Sequence, residues 1–313
     1  MKAAVYSTDR PPDVLQIRDV EKPVPKDNEV LIKVRAAALN ALDWRIVRGG
    51  RYIVRILRPG RDVAGQVEAV GRNGTQFKPG DAVFGVCAGA FAEYVCARED
   101  RLAPKPANVS FEDAAAVPVA ALTALQGLRD KGRIQRGQKV LVDGASGGVG
   151  TFAVQIAKSF GAEVTAVCST KKVDTARSIG ADHVMDYTRE DFTESGQRYD
   201  LILAANAHHS IFDYHRALSP KGIYVIAGGG GLQMLQSMSL GPFLSLMGSK
   251  KMRFFLAKGS QTDLVLLSDL LAAGKVVSVI DRRYPLSDVA EAIRYLEEGH
   301  ARGKVVITVP SNL

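Results

Sequence analysis

The 313-residue sequence predicts an α/β chain in which a doubly wound parallel sheet is inserted between two parts of a β-rich body. Three observations carry this prediction. Short apolar segments broken by turns run to about residue 118, strand and helix patterns alternate from about residue 120, and the tail beyond about residue 257 stops alternating. A chain of this length exceeds one ordinary core, so two domains are expected: residues 1–120 with 258–313, and residues 121–257.

In the first part, Ala3 to Tyr6, Val30 to Ala38, Asp62 to Val70, Ala82 to Val86 and Phe91 to Cys96 read as strands of a curved, partly closed sheet. Pro23, Pro25, Gly71, Gly74, Pro79, Gly80 and Gly89 separate them. Helical spacing occurs at Ala41 to Val47 and at Ser110 to Ala116, where Ser110 and Asp113 make a cap-like start. Leu122 to Asp130 opens the second part as a helix. Strands follow at Lys139 to Val142, Glu163 to Cys168, Asp182 to Met185, Leu201 to Ala204 and Gly222 to Ala227, with a helix expected after each of the first four. Asp263 to Ala272 and Ser287 to Glu298 read as helices and Lys304 to Val309 as a strand, a tail expected to return to the β-rich body. Between them, Leu232 to Gly248, rich in Met and Leu, reads as core under a lid, as a pocket wall, or as a subunit contact.

The stretch from Lys139 to Lys158 carries the clearest chemistry. Its apolar strand runs into Gly144, Gly147, Gly148 and Gly150, and Val149, Phe152, Ala153, Ile156 and Ala157 then recur at helical spacing. So tight a strand-to-helix turn needs glycine, and a diphosphate reaches the first-turn N–H groups only where no side chain intervenes. In this context the turn predicts a dinucleotide site through Gly144, Ser146, Gly147, Gly148 and Val149; as a bland alternative it only punctuates a βαβ unit. An Asp or Glu at the end of the next strand would hold a ribose 2′-hydroxyl. Here Cys168-Ser169-Thr170-Lys171-Lys172 stands instead, two hydroxyls and two ammonium groups suited to a 2′-phosphate, so NADPH is expected. Ser169 or Thr170 serving as a helix cap is compatible with that reading.

Bulk composition narrows the remaining classes. The chain is 46% hydrophobic and 24% charged, as expected for a globular protein. No run approaches the roughly 20 apolar residues of a membrane span, and Met1 to Tyr6 lacks a signal core, so a cytoplasmic protein is expected. Cys87, Cys96 and Cys168 form no disulfide framework and no C-x-x-C pair. The net charge of +8 has its densest patch at Arg45, Arg48, Arg51, Arg55, Arg58 and Arg61, one solvated face or, alternatively, a surface for nucleic acid or an anionic membrane. The five histidines read as surface residues, with a minor role near the ribose open to His208 and His209.

Taken in order, Asn40-Ala-Leu-Asp43, Pro59-Gly-Arg-Asp-Val-Ala-Gly65, Lys78-Pro-Gly-Asp-Ala-Val83, Ala90-Phe-Ala-Glu-Tyr94, Leu122-Thr-Ala-Leu125, Gly144 to Gly150, Gly180-Ala-Asp182 and Gly303-Lys-Val-Val306 resemble the medium-chain dehydrogenase/reductase superfamily. The similarity is to its zinc-free quinone oxidoreductase branch and covers essentially the whole chain. It implies a Rossmann domain inserted into a GroES-like catalytic domain, with hydride passing from NADPH to a quinone or an α,β-unsaturated carbonyl in the cleft between domains. No metal is expected: Asn40 and Gly60-Arg61-Asp62 stand where the zinc enzymes carry a Cys and a Gly-His-Glu motif. The resemblance further implies Asn40 near the nicotinamide ribose or acceptor, Thr123 near the carboxamide, and Lys172 with Tyr187 on the 2′-phosphate. Gly228 would let the backbone pass the nicotinamide. The family's helix tyrosine is replaced by Arg45, leaving Tyr52 as a nearby substitute. Asp62 is read as ordering its loop rather than donating a proton. A homodimer is expected through the Rossmann edge strand at Met252 to Ala257. Alternatives are a zinc-free alcohol or aldehyde reductase and a zeta-crystallin-like nucleic-acid-binding protein.

Overall fold

A computed structural model describes residues 1–6, 15–48 and 58–310. The chain divides into two compact units, Met1–Ala120 with Gly259–Leu313, and Ala121–Lys258. Its strands in order are β1 (Lys2–Tyr6), β2 (Leu15–Asp19), β3 (Glu29–Ala38), β4 (Asp62–Val70), β5 (Ala82–Val86), β6 (Tyr94–Arg98), β7 (Leu102–Pro104), β8 (Lys139–Asp143), β9 (Glu163–Cys168), β10 (His183–Asp186), β11 (Tyr199–Ala204), β12 (Leu218–Ile226), β13 (Lys251–Phe254), β14 (Ile280–Pro285) and β15 (Lys304–Thr308).

In the first unit, β1 and β2 form an antiparallel ribbon, and a seven-stranded sheet runs β14-β15-β3-β4-β5-β7 with β6 also on β3. Strand β3 organises this sheet. Its first half pairs with β6, its length with β4, and its end with β15, so Ala38 lies opposite both Asp62 and Val306. Bulges along the β3–β4 ladder turn residues onto both faces. Ile32, Leu39, Val63, Val67, Phe91, Leu102 and Ile307 fill the core, closed by Val289, Ala292 and Ile293 at helical spacing on Val289–Glu297. Ser110 caps helix Phe111–Ala115 by accepting the Asp113 N–H at 3.0 Å.

In the second unit all six strands are parallel, in the order β10-β9-β8-β11-β12-β13. Chain direction across the sheet reverses between β8 and β11, and ligands of such sheets bind beyond the strand carboxyl ends at that reversal. Tyr199, Tyr214 and Tyr224 are buried here, and Tyr214 packs on both Phe192 and Tyr224.

Several expectations are corrected. No helix follows β10: Asp191 accepts the Thr193 N–H and hydroxyl at 2.8 Å, and Asp186 likewise holds Thr188, bonds that compete with helical ones. Strands β2, β7 and β14 are additional, and the strand expected at Phe91 to Cys96 is β6, shifted to Tyr94–Arg98. The helix expected from Leu122 begins at Pro118, a residue suited to a first helical position, and its last turn, Gly127–Lys131, widens into a π-helix. Leu232 to Gly248 is not core within this chain. Leu232, Leu235, Met238, Phe243, Leu246 and Met247 are all exposed on helices Gly231–Ser239 and Gly241–Leu246 and just beyond.

Candidate functional site

In the second unit the site grows from the turn after β8. Gly144 adopts φ +79°, and a Cβ there would meet Asn206 at 2.7 Å. Gly150 packs so closely that a Cβ would stand 2.1 Å from the Gly144 carbonyl oxygen. Gly147 is the extended cap of the twelve-residue helix Gly148–Ser159, and no side chain accepts there, so the first-turn N–H groups keep their donor capacity for an anion. This cradle fits a diphosphate. Ser146 is buried within the turn and Val149 half-buried.

Asp143, the last residue of β8, fixes the neighbouring β11 crossing. Its carbonyl accepts from Ala205 N at 2.8 Å, while its buried carboxyl accepts the Tyr214 hydroxyl. Burial raises the Asp143 pKa against that donor. The Tyr214 oxygen in turn accepts the His208 N–H at 3.3 Å, and His209 packs edge-on against Phe192 and Tyr214. The two histidines thus anchor this loop. Gly228, after β12, is packed against the Ala205 carbonyl, and Thr123 is buried on helix Pro118–Gln126.

At the end of β9, burial pushes the Cys168 thiol up to about 11. Ser169 occupies a cap position without a side-chain cap bond, Lys171 is exposed and Lys172 half-buried. Thr170 differs from its expected role. Its hydroxyl donates to Asp186, leaving no hydrogen for a phosphate. Asp186 stands opposite Cys168 in the β9–β10 register and also gathers the Thr188 N–H, the Thr188 hydroxyl and, at 3.6 Å, the Arg189 guanidinium. The Thr170 bond, followed by those from Thr188, holds its carboxyl below the usual range. An acid therefore does lie beside the expected phosphate position, one strand over. Only parallel register brings it there, which is why a search along β9 misses it. Tyr187 donates its N–H to the Cys168 carbonyl at 3.0 Å, and its side chain is exposed.

In the first unit, three neighbouring strands each bring one group to a second cluster. Asn40 follows β3, Asp62 opens β4 and Lys304 opens β15. Lys304 Nζ donates to Asn40 Oδ1 at 2.7 Å and to Asp62 Oδ2 at 3.0 Å, and Asn40 Nδ2 donates to Asp62 Oδ2 at 2.9 Å. Asp62 Oδ1 accepts from Val119 N at 2.8 Å. Beside them Asp43 Oδ2 accepts from Asn40 N and Oδ1 from Gly60 N, each at 2.7 Å. Gly60 has φ +88°, with Phe91 N 2.8 Å from where a Cβ would be. Lys304, Asp62 and Asp43 are at most 2% exposed. Burial raises the Asp43 pKa to about 6 although both backbone donors oppose it. Asn40, only half-buried, remains reachable.

This donor set does not fit a zinc ion. The Lys304 ammonium already supplies the local cation, and the Cys87 thiol is pushed well up by burial. Among the described residues no group of three or more His, Cys, Asp or Glu is arranged to hold a metal ion. Tyr52 lies outside the described residues, as do Arg51 and Arg55 of the arginine series. Of the others, Arg45, Arg48 and Arg58 are exposed, as a solvated face requires. Arg48 pairs with Glu297 at 2.6 Å, Arg45 lies against the Trp44 ring, and Arg61 is half-buried. No helix among the described residues is long and apolar enough to cross a membrane.

Comparison with known proteins adds the following. Residues 26–107 match the alcohol dehydrogenase GroES-like domain family and residues 179–307 a zinc-binding dehydrogenase family. The chain is 34% identical to the chloroplast envelope quinone oxidoreductase homolog of Arabidopsis thaliana, over 92% of each chain. It is 35% identical to the NADPH-dependent alkenal/one oxidoreductase, chloroplastic, of the same plant, over 98% of this chain and 79% of that one. A solved quinone oxidoreductase from Coxiella burnetii superposes with a TM-score of 0.87 at 29% identity, covering 99% of each chain.

Proposed function

The chain belongs to the medium-chain dehydrogenase/reductase superfamily, and from that premise we propose that it is an NADPH-dependent oxidoreductase reducing a quinone or an α,β-unsaturated carbonyl. The observation that carries this reading is the Gly144–Gly150 cradle at the reversal of a parallel sheet, in a chain whose relatives are named for quinone and alkenal reduction. A bound nicotinamide supplies the hydride; the protein supplies binding, orientation and electrostatics. The first-turn backbone donors of Gly148 and Val149 hold the diphosphate, while the Gly147 N–H closes the turn on the Gly144 carbonyl at 3.1 Å and Ser146 is buried within it. Gly228 and Thr123 are assigned to the nicotinamide and Asn40 to the acceptor; Tyr52, the remaining candidate, lies outside the described residues.

The preference for NADPH over NADH rests on Ser169, Lys171, Lys172 and Tyr187, with Thr170 fixing the loop through Asp186 rather than touching phosphate. NADPH oxidation followed with a quinone, a 2-alkenal and a simple aldehyde tests the reaction: the first two turn over and the aldehyde does not. Lys172→Ala is expected to weaken NADPH binding about tenfold while leaving NADH binding unchanged, the loss of about one charge-assisted hydrogen bond. Equal binding of both nucleotides by the unaltered protein would reject the preference.

The protein is further read as a homodimer. Strand β13 pairs only with β12 among the described residues, and the exposed apolar side chains of Gly231–Ser239 and Gly241–Leu246 lie on the helices that pack on it. Sedimentation equilibrium at micromolar concentration should give twice the chain mass.

A further inference from the structure

The geometry points to Lys304 and Asp62 as a positioning pair that fixes which face of the Asn40 amide meets the acceptor. This inference rests on the reaction proposed above and deepens it. An amide side chain is nearly symmetric in shape, so its orientation is set by what surrounds it. Around Asn40 the choice is forced. An ammonium can only donate and an ionised carboxylate can only accept, so the 2.7 Å contact from Lys304 Nζ selects Oδ1 and the 2.9 Å contact to Asp62 Oδ2 selects Nδ2. The Lys304–Asp62 bond at 3.0 Å closes the triangle, and Val119 N holds the second carboxylate oxygen.

One capacity remains. Nδ2 carries two hydrogens, Asp62 takes one, and among the described residues nothing takes the other. Because Asn40 is half-buried while Lys304 and Asp62 are buried, that remaining N–H is the group of the triangle a ligand can meet. It suits an oxygen on which negative charge develops. In the reaction the acceptor carbon takes two electrons and one hydrogen as hydride, its π pair moves onto the conjugated oxygen, the nicotinamide is left oxidised, and a proton from water completes the product. A preoriented donor at that oxygen stabilises the charge as it appears.

The decisive variant reverses the amide without emptying the site. Asp62→Asn with Lys304→Met removes both charges at nearly constant volume. The new amide keeps an oxygen for Val119 N and turns its NH2 toward Asn40, whose own amide then flips and presents its oxygen to the acceptor. This double variant should fold and bind NADPH within twofold of the unaltered protein, with kcat for a quinone or 2-alkenal lowered about a hundredfold, the usual loss for one such donor. Asn40→Ala should lower kcat similarly, and adding it to the double variant should cost nothing more. Unchanged kcat in the double variant, or losses that multiply in the triple variant, would overturn the proposal. A second readout needs no turnover. Of the two Asn40 side-chain amide proton NMR signals, assigned by their disappearance in Asn40→Ala, the one donated to Asp62 should be protected from solvent exchange in the unaltered protein and lose that protection in the double variant; fast exchange of both protons in the unaltered protein overturns the pair's role. If the unaltered protein reduces no acceptor while this protection is seen, the proposed reaction fails and the positioning pair stands.

Discussion

The glycine cradle of the second unit and the Asn40 triangle of the first are built from opposite materials. The cradle is backbone: its donors come from one contiguous run, Gly144 to Gly150, and its shape depends on side chains being absent. The triangle is side chain: Asn40, Asp62 and Lys304 lie up to 264 residues apart and meet only because β15, β3 and β4 are neighbours. A backbone site fails when something is added. A side-chain site fails when one partner is removed, because the others are left buried and unmatched.

The largest effect should come from the triangle. Lys304→Met alone leaves the Asp62 carboxylate buried without its counter-ion, and unfolding in urea should show a loss of about 3–5 kcal/mol. The double variant with Asp62→Asn should recover most of it, since replacing both charges of a buried pair is close to neutral. Were the single variant as stable as the unaltered protein, the contrast between the two regions would lose its energetic basis. In the cradle, adding one methyl is the corresponding break. Gly150→Ala sets a Cβ 2.1 Å from a carbonyl oxygen of the turn, and neither backbone segment can yield as a flexible side chain would. A cost of about 3 kcal/mol is expected, together with loss of NADPH binding measured by fluorescence titration. Gly147→Ala, where the nearest atom is 3.6 Å away, should be tolerated by the fold but lower NADPH affinity by blocking the approach.

A smaller effect separates the cradle's support from the cradle itself. Tyr214→Phe removes the hydroxyl that donates to Asp143 and accepts from His208 N. About 2 kcal/mol should be lost in urea unfolding, because a buried carboxyl and an N–H lose a partner together. NADPH binding should weaken far less than in Gly150→Ala.

The same contrast explains what was legible in the sequence. The parallel sheet, its helix after β8 and the glycine turn were readable because each is specified by local spacing: apolar strand, glycine, then a 3.6-residue period. β5 and β9 were located to the residue for the same reason. β2, β7 and β14 escaped because three to six residues of mixed polarity carry no period of their own and become strands only by pairing. Asp186 was missed because it reaches Thr170 through parallel register. Lys304 was visible only as part of the Gly303-Lys-Val-Val306 resemblance, and no local pattern announces that its ammonium ends beside Asn40 and Asp62.

The finest test of the triangle is its neighbour Asp43, whose contribution to stability runs opposite to that of an ordinary paired carboxylate. Burial lifts its folded pKa from 3.8 to about 6, so between those values the folded protein holds a proton that the unfolded chain has released. Stability from this group is therefore fully present below the unfolded pKa and lost as pH rises through about 6. Lowering the pH from about 6 to about 5 should gain roughly 1 kcal/mol from Asp43, since a full unit of differential binding is worth about 1.4 kcal/mol. Asp186, held low by Thr170, works the other way and loses stability as pH falls toward the acid range. The slope is isolated by comparing urea unfolding of the unaltered protein and Asp43→Asn at both pH values. The variant is less stable throughout, because an NH2 now faces the Asn40 or Gly60 N–H, but its stability should not rise between them. A variant with the same rise as the unaltered protein would place the buried proton elsewhere than on Asp43.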